Sequence, residues 1–296
     1  EMCIRDSSGD LHLGNLRTAI LAWALARRTH RRFHLRVEDL DRVKEGSEAR
    51  QLEDLVALGI DWDGEVVRQS ERGEAHEAAI GQLQAAGAAY ECYCTRREIL
   101  DAPSAPHSPP GAYPGTCRDL TDDQRETGRA KMRELRREPA LRLRSDVIEW
   151  TVTDLWAGQV TAVVDDLVLR RGDGVVAYNL AVVVDDAAAG VDQVTRADDL
   201  LTSAPRQAYL AHLLGLPEPT YAHVPLAVNT GGARLAKRDG AVTLRDRLAR
   251  DESAADVVER IGESLGLPGC RTAADVLERW DPQNMVHEPW VVDLKG

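Results

Sequence analysis

The sequence predicts an α/β protein with a parallel sheet, and two observations lead to this fold class. The early part of the chain runs helix, strand, helix, helix with short connections, the order in which parallel α/β domains are built. The chain also has 296 residues, of which 43% are hydrophobic and 29% charged. That length and composition suit a globular protein of one large or two modest domains.

Four segments in the first part of the chain support this fold class. Residues 16–29 repeat apolar side chains with helical spacing, and residues 32–41 alternate them as a strand does. Two further helices are expected over 47–59 and 72–87, each ending at a glycine.

The second half of the chain continues the alternation. Residues 129–144 predict a basic helix followed by a strand, and residues 160–186 predict strands separated by a turn at "GDG". A strand and a helix are expected within 192–216, another strand over 220–228, and helices from residue 242 onward.

The segment between these halves is irregular and rich in cysteine. Residues 90–118 hold five prolines and two glycines, so they cannot form one regular element. They also carry Cys92, Cys94 and Cys117. The chain has five cysteines, an odd number, and its first residues lack a basic segment followed by an apolar one. We therefore expect no secretory leader and a reduced protein in the cytoplasm, with metal ligands rather than a disulfide framework.

The net charge and hydropathy narrow the classes of partner. The formal net charge is −12, which argues against broad nonspecific binding of nucleic acid but leaves room for a local basic face. No run of eighteen apolar residues is present, so we expect no membrane-spanning helix and no membrane partner.

The stretch "SSGDLHLGNLRTAILAWAL" places His12 and Gly14 at the start of the first helix. A helix N-terminus attracts phosphate, a glycine lets a nucleotide approach the backbone, and a histidine can donate to a phosphoryl oxygen. The alternative is an ordinary helix start, capped by Asp10, with His12 on the surface.

The stretch "TGGARLAKRDGAV" combines three glycines with Arg234, Lys237 and Arg238. A mobile basic loop can close over a triphosphate and open again to release pyrophosphate. Only four lysines occur in the chain, which makes Lys237 conspicuous. The alternative is a solvated hairpin without a ligand.

Together the two stretches resemble the HIGH and KMSKS signatures of the class I aminoacyl-tRNA synthetases, through "HLGN" and "RLAKR". "RVEDLDR" and "VVAYNLAVVVDDAAAGVDQVTRADDLL" make the resemblance strongest to the glutamyl branch. It covers roughly residues 8 to 291. The resemblance implies a Rossmann-like catalytic domain with a zinc-binding insertion and a short helical C-terminal region.

The implied division of the chain has four parts. Residues 1–90 form the first half of the catalytic domain, 91–145 the insertion with the zinc site, and 146–240 the second half with the KMSKS-like loop. Residues 241–296 form the helical C-terminal region, without an anticodon-binding domain.

The resemblance also assigns roles to individual residues. ATP, with Mg²⁺, would be bound by His12, Gly14, Asn15, Arg234 and Lys237, of which His12 and Lys237 are catalytic because they stabilise the phosphates. Glutamate would be bound by Glu38, facing its ammonium group, and by Tyr178 and Arg196, the latter supplying a bidentate contact to a carboxylate. One structural Zn²⁺ would be bound by Cys92, Cys94, Tyr113 and Cys117, with His107 as the alternative fourth ligand.

The expected activity is tRNA-independent activation of glutamate to glutamyl-adenylate, followed by transfer of glutamate to queuosine in the anticodon of tRNA(Asp). Only about 55 residues follow the second signature, whereas a complete glutamyl-tRNA synthetase carries a large anticodon-binding region there. The alternatives are a synthetase acting on tRNA(Glu) and a non-catalytic tRNA-binding paralogue. We expect a monomer.

Two departures from the family pattern stand out. The family enters its first strand through a segment like "RFAPSPSG", but this chain has "EMCIRDSS", without the arginine expected near Met2 and without either proline. We therefore expect residues 1–7 to be a poor strand and the protein to be less stable and less active than its family. In the second signature Arg234 stands in place of a lysine and Ala236 in place of a serine, but Lys237 is kept.

Overall fold

A computed structural model of the chain describes residues 2–4, 9–41, 44–101, 113–235 and 242–293. The first part is a parallel sheet with helices packed on it, as predicted from the order of elements. The strands are β1 (Met2–Ile4), β2 (Leu35–Val37) and β3 (Val67–Arg68), paired in that order. The helices are α1 (Leu13–Arg28), α2 (Ser47–Ala57) and α3 (Gly73–Ala85).

The second part contains a four-stranded sheet and a smaller antiparallel sheet. The four-stranded sheet has the order β7-β6-β10-β9 and consists of β6 (Glu149–Asp154), β7 (Gly158–Val163), β9 (Gln193–Ala197) and β10 (Thr220–Val224). Strands β6, β10 and β9 run parallel, and β7 is an antiparallel edge. Its helices are α6 (Tyr178–Ala189) and α7 (Ala204–Leu214).

The smaller sheet belongs to the cysteine-rich insertion. It consists of β4 (Ala89–Cys92), β5 (Ala140–Leu143) and β8 (Val168–Arg170), with α4 (Arg96–Asp101) and α5 (Asp122–Glu134) beside it. A separate small apolar cluster that includes Tyr90, Tyr93 and Met132 surrounds the cysteines. The insertion therefore has its own centre, apart from the main core.

The last part of the chain returns to the first sheet. It consists of β11 (Ala227–Asn229), α8 (Leu244–Leu248), α9 (Ala254–Glu263), α10 (Ala273–Arg279) and β12 (Trp290–Val292). Ile261, Val276 and Trp280 are buried in the same core as the apolar face of α1. The sequence pattern predicted the helices but missed β12, which pairs in parallel with β11.

Strand β1 corrects the expectation that the first residues make a poor strand. Met2–Ile4 pairs in parallel with β2, with Cys3 opposite Arg36, and β1 lies beside β9 on its other side. Three consecutive apolar residues are typical of a parallel strand, and this run outweighs the polar residues around it. The strand thus lies between the two sheets.

A second correction concerns residues 178–186, which were expected to be strand and belong to helix α6. The run Val182, Val183 and Val184 favours a strand locally because β-branched residues pack well on sheets. All three side chains are buried as α6 packs on α7, so tertiary packing overrides the local preference. Gly190 ends the helix with a left-handed backbone at φ +70°.

No helix within the described ranges is both long and apolar enough to cross a membrane.

Candidate active site and metal-binding cluster

His12 is the N-cap of α1. Its Nδ1 accepts the backbone N–H of Asn15 at 3.2 Å, and the Asn15 side chain accepts the backbone N–H of His12 at 3.2 Å. Asp10 pairs instead with Arg50 at 2.6 Å, so the alternative in which Asp10 caps the helix is wrong. Because Nδ1 is an acceptor, the neutral imidazole carries its proton on Nε2. That N–H is the group that can donate to a phosphate at the helix N-terminus.

Gly14 makes room for protein atoms at this helix start. A Cβ at this position would lie 2.9 Å from the Ala227 Cβ and 3.0 Å from the His12 Cε1. These distances are shorter than ordinary carbon contacts. The glycine therefore allows β11 and the His12 ring to pack against the first turn of α1, a reason different from the nucleotide approach that the sequence suggested.

The described residues on either side of Lys237 lie near the first turn of α1. Lys237 lies outside the described residues, as does Ala236, but both flanks are described. On one side the Leu235 N–H donates to the Ala227 carbonyl at 3.3 Å. On the other side the Leu13 N–H donates to the Val242 carbonyl at 2.7 Å, and His12 forms an antiparallel bridge with Thr243. The two signature stretches, far apart in the sequence, thus meet at one helix N-terminus.

Arg234 opens this segment in a hairpin, as the alternative interpretation of the stretch suggested. It bridges Val228, and its Nη1 lies 2.6 Å from the Asp199 carboxylate. Asp199 belongs to the turn after β9. Arg234 therefore joins the second signature to the strand that carries Arg196.

Glu38 follows β2 directly, at the carboxyl end of the strand where open α/β sheets bind ligands. Its side chain is only 8% exposed, and its Oε1 lies 3.7 Å from the Arg36 Nη2. Arg36 is itself held by Asp186 of α6 at 2.5 Å. A nearly buried carboxylate at this edge can accept a substrate ammonium group.

Arg196 and Tyr178, from different elements, are joined through two polar side chains. The Arg196 Nη1 donates to the Gln207 Oε1 at 2.6 Å, and the Gln207 Nε2 donates to the Asn179 Oδ1 at 3.0 Å. Asn179 is the neighbour of Tyr178 at the start of α6. These bonds fix two of the predicted glutamate-binding residues relative to each other.

His223 and Asp154 hold Arg196 in position through a chain of hydrogen bonds. Neither residue was identified from the sequence. The Arg196 Nε donates to the His223 Nε2 at 2.9 Å, and the His223 Nδ1 lies 2.7 Å from the Asp154 Oδ2. Burial lowers the pKa of His223, with Arg196 adding to this and Asp154 opposing it. Despite burial, hydrogen bonds from His223 and from backbone N–H groups lower the pKa of Asp154. The only sequence signal was a histidine inside the apolar run "TYAHVPLAV".

The four predicted metal ligands come together. The Sγ atoms of Cys92, Cys94 and Cys117 lie within 4.8 Å of one another. The Tyr113 hydroxyl lies 3.3 Å from the Cys92 Sγ and 3.7 Å from the Cys94 Sγ, and it accepts the Cys117 N–H at 2.9 Å. Sulfurs of a tetrahedral zinc site are about 3.8 Å apart, given Zn–S bonds of about 2.3 Å. The set, here called the cysteine cluster, could therefore hold a metal ion. His107 lies outside the described residues.

Charge at the cysteine cluster depends on such an ion. Hydrogen bonds from the Cys117 and Cys94 thiols lower the pKa of Cys92, whereas the same kind of contact raises the pKa of Cys94. Burial raises the pKa of Tyr113. Without a cation, the Cys92 thiol ionises easily, whereas ionisation of Cys94 and of Tyr113 is disfavoured. A divalent cation reverses this preference because it favours thiolate and phenolate ligands. The Arg142 guanidinium stacks 3.7 Å from the Tyr113 ring centroid and adds positive charge nearby.

Comparison with protein families gives an extensive match. The family model described as tRNA synthetases class I (E and Q), catalytic domain, matches residues 6–274. Two similar proteins bear the name glutamyl-Q tRNA(Asp) synthetase. The one from Nocardia farcinica is 59% identical over 289 residues, which cover 98% of this chain and 91% of the relative. The one from Cutibacterium acnes is 51% identical over 263 residues, which cover 87% and 73%.

Solved structures agree on the fold. The glutamate-tRNA synthetase of Elizabethkingia anophelis superimposes with a TM-score of 0.79 at 21% identity, over 98% of this chain and 67% of that chain. A glutamate tRNA ligase from Elizabethkingia meningosepticum gives a TM-score of 0.78, also at 21% identity, over 98% and 66%. At this identity the likeness concerns the fold alone.

Proposed function

The chain belongs to the class I tRNA synthetases for glutamate and glutamine, and from this premise we propose that it activates glutamate with ATP and transfers it to queuosine in the anticodon of tRNA(Asp). The observation that carries the proposal is the meeting of both signature stretches at the N-terminus of α1. The 59% identity to a protein named for this reaction, over nearly the whole chain, supports the choice of substrate.

The first step requires no protein nucleophile. The α-carboxylate of glutamate attacks the α-phosphate of ATP in line, one carboxylate–phosphorus bond forms, and the bond to pyrophosphate breaks. Catalysis is then positioning and charge stabilisation. In this proposal the His12 Nε2–H and Lys237 stabilise the phosphates, helped by the positive end of the α1 dipole, and Gly14, Asn15 and Arg234 complete the ATP site. Mg²⁺ would enter with the nucleotide and neutralise part of its charge.

Glutamate would be oriented by three side chains. Glu38 binds its ammonium group, and Arg196 with Tyr178 binds a carboxylate. In the second step a hydroxyl of queuosine attacks the acyl carbon of the adenylate, the new ester forms, and AMP leaves.

The cysteine cluster would hold one structural Zn²⁺ through Cys92, Cys94, Cys117 and the Tyr113 oxygen. The Cys94 and Cys117 sulfurs lie 3.6 Å apart and all three sulfurs lie within 4.8 Å of one another, separations that support a tetrahedral site. When bound, the ion supplies the cross-link that organises the insertion. The proposal also includes the division of the chain into four parts, residues 1–90, 91–145, 146–240 and 241–296.

The test is glutamate-dependent exchange of pyrophosphate into ATP, measured with the full chain. Exchange without any tRNA supports the proposal. Exchange only in the presence of tRNA(Glu) would favour a synthetase for that tRNA. Absence of exchange under both conditions would favour a non-catalytic tRNA-binding protein.

A further inference from the structure

The half-buried Arg196 differs from Arg31 and Arg36 in the charge of its partners, and resembles the buried Arg17 and Arg142, which also bond to hydroxyl and carbonyl groups. Arg31 and Arg36 lie 2.9 and 2.5 Å from aspartate oxygens. Arg196 bonds instead to the His223 imidazole, the Gln207 amide and, at 3.4 Å, the Leu200 carbonyl. Within the described part of the chain it forms no ion pair with a carboxylate. Its positive charge is held in place by neutral groups only.

The orientation of Gln207 follows from this arrangement. A guanidinium group only donates hydrogen bonds, so the Gln207 Oε1 must face Arg196. The amide N–H₂ then faces Asn179, whose Oδ1 accepts it at 3.0 Å. Gln207 is 3% exposed, so water cannot replace either bond freely. The side chain is thus fixed as a neutral acceptor.

His223 is fixed as a neutral acceptor in the same way. Its backbone N–H and its Nδ1 both contact the Asp154 carboxylate, which places the imidazole proton on Nδ1 and leaves Nε2 to accept from Arg196. Asp154 is separated from Arg196 by the ring. The Asp154 carboxylate therefore orients the histidine and forms no direct ion pair with the arginine.

The Arg196 guanidinium keeps donors for a ligand. The three bonds described use three of its five N–H groups. Two N–H groups and an uncompensated charge are what a carboxylate ligand requires. An anionic side chain at position 207 would form an ion pair with Arg196, and the arginine would then no longer need the carboxylate of a ligand to balance its charge.

We propose that Gln207 is a positioning residue that sets amino-acid specificity: as a neutral partner it leaves the charge of Arg196 available to the side-chain carboxylate of the substrate, the group that glutamine lacks. This inference rests on the proposed function, since it takes glutamate as the ligand of Arg196. It predicts that a near-isosteric Gln207→Glu change weakens recognition of an anionic amino acid selectively.

The experiment compares three variants with the wild type. Gln207→Glu adds the charge, Gln207→Met keeps the size without charge, and Gln84→Glu places the same charge on an exposed position of α3 as the matched control. The readouts are the KM values for glutamate and ATP in pyrophosphate exchange, the competitive inhibition constant of glutamine, and the direct binding of glutamate by calorimetry.

We expect Gln207→Glu to raise the KM for glutamate about tenfold or more, corresponding to about 1.4 kcal/mol, with little change in the KM for ATP or the inhibition constant of glutamine. Gln207→Met should keep the preference for glutamate over glutamine, and Gln84→Glu should match the wild type. An unchanged glutamate KM in Gln207→Glu, or equal losses in the Glu and Met variants, would overturn the inference.

The calorimetric readout separates this inference from the proposed function. A wild type that binds glutamate but shows no exchange would refute the reaction, while the binding constants of the variants would still decide the role of Gln207. A wild type that binds no glutamate would overturn both.

Discussion

Replacement of Gly14 by alanine tests the geometry of the α1 N-terminus. The new methyl group would lie 2.9 Å from the Ala227 Cβ and 3.0 Å from the His12 Cε1, where carbon atoms prefer about 3.5–4.0 Å. Overpacking of this kind costs about 1–3 kcal/mol. Alanine also favours the helix by up to about 1 kcal/mol, less in the first turn. The second term offsets only part of the first, so the free energy of unfolding should fall by about 1–2 kcal/mol.

Gly14→Ala should also lower the rate of catalysis. The ring of His12 must move, which weakens its bond to the Asn15 N–H and displaces its Nε2–H from the phosphate. We expect glutamate-dependent pyrophosphate exchange to fall at least about tenfold, or about 1.4 kcal/mol in barrier height. A melting temperature lowered by only a few degrees would accompany it.

Gly81→Ala is the matched control. Gly81 lies within α3, and a Cβ there would meet nothing within 4 Å. This change should leave exchange unaltered and stabilise the protein slightly, because alanine is the better helix former. If Gly14→Ala exchanged pyrophosphate at the wild-type rate, the role assigned to the His12 ring would be refuted.

Three further results are expected. Lys237→Ala should cut adenylate formation at least about tenfold, and Lys44→Ala should not; equal rates for both would contradict the assigned role. Purified protein should contain about one zinc per chain, and chelation should lower the melting temperature; metal-free protein with an unchanged melting temperature would remove the zinc proposal. Because burial keeps the pKa of His223 low, the unfolded chain binds a proton that the folded chain resists. Stability and glutamate affinity should therefore fall from about pH 7 downward, where a protonated His223 would repel Arg196 despite Asp154. His223→Gln, which keeps an acceptor, should flatten that profile.

Most of the fold follows from periodicity and from the glycines and prolines between elements. Helices α1, α2 and α3 lie within a few residues of their predicted bounds because each combines a buried apolar face with a clear end. The prediction failed at α6, where a valine run has the same local appearance in a buried helix and in a strand. It also failed at β1 and β12. Each has only three residues, so pairing with a neighbouring strand, rather than the local sequence, decides whether the strand forms.

The site divides in a similar way. The three cysteines of the cysteine cluster could be selected from ligand type and spacing, whereas Tyr113 was implied only by the family resemblance; the structure places all four side chains together. The partners of Arg196 could not be predicted, because His223 and Gln207 are single polar residues on different elements. Their role arises only in the folded structure, where a buried polar group must form a hydrogen bond with a neighbour.

Transfer of glutamate to queuosine is tested most directly with labelled glutamate and tRNA(Asp) with and without queuosine, with tRNA(Glu) as the comparison. We expect labelling only of tRNA(Asp) that carries queuosine, after activation that needs no tRNA. Labelling of tRNA(Glu) at its 3′ end, or equal labelling of tRNA(Asp) lacking queuosine, would contradict it.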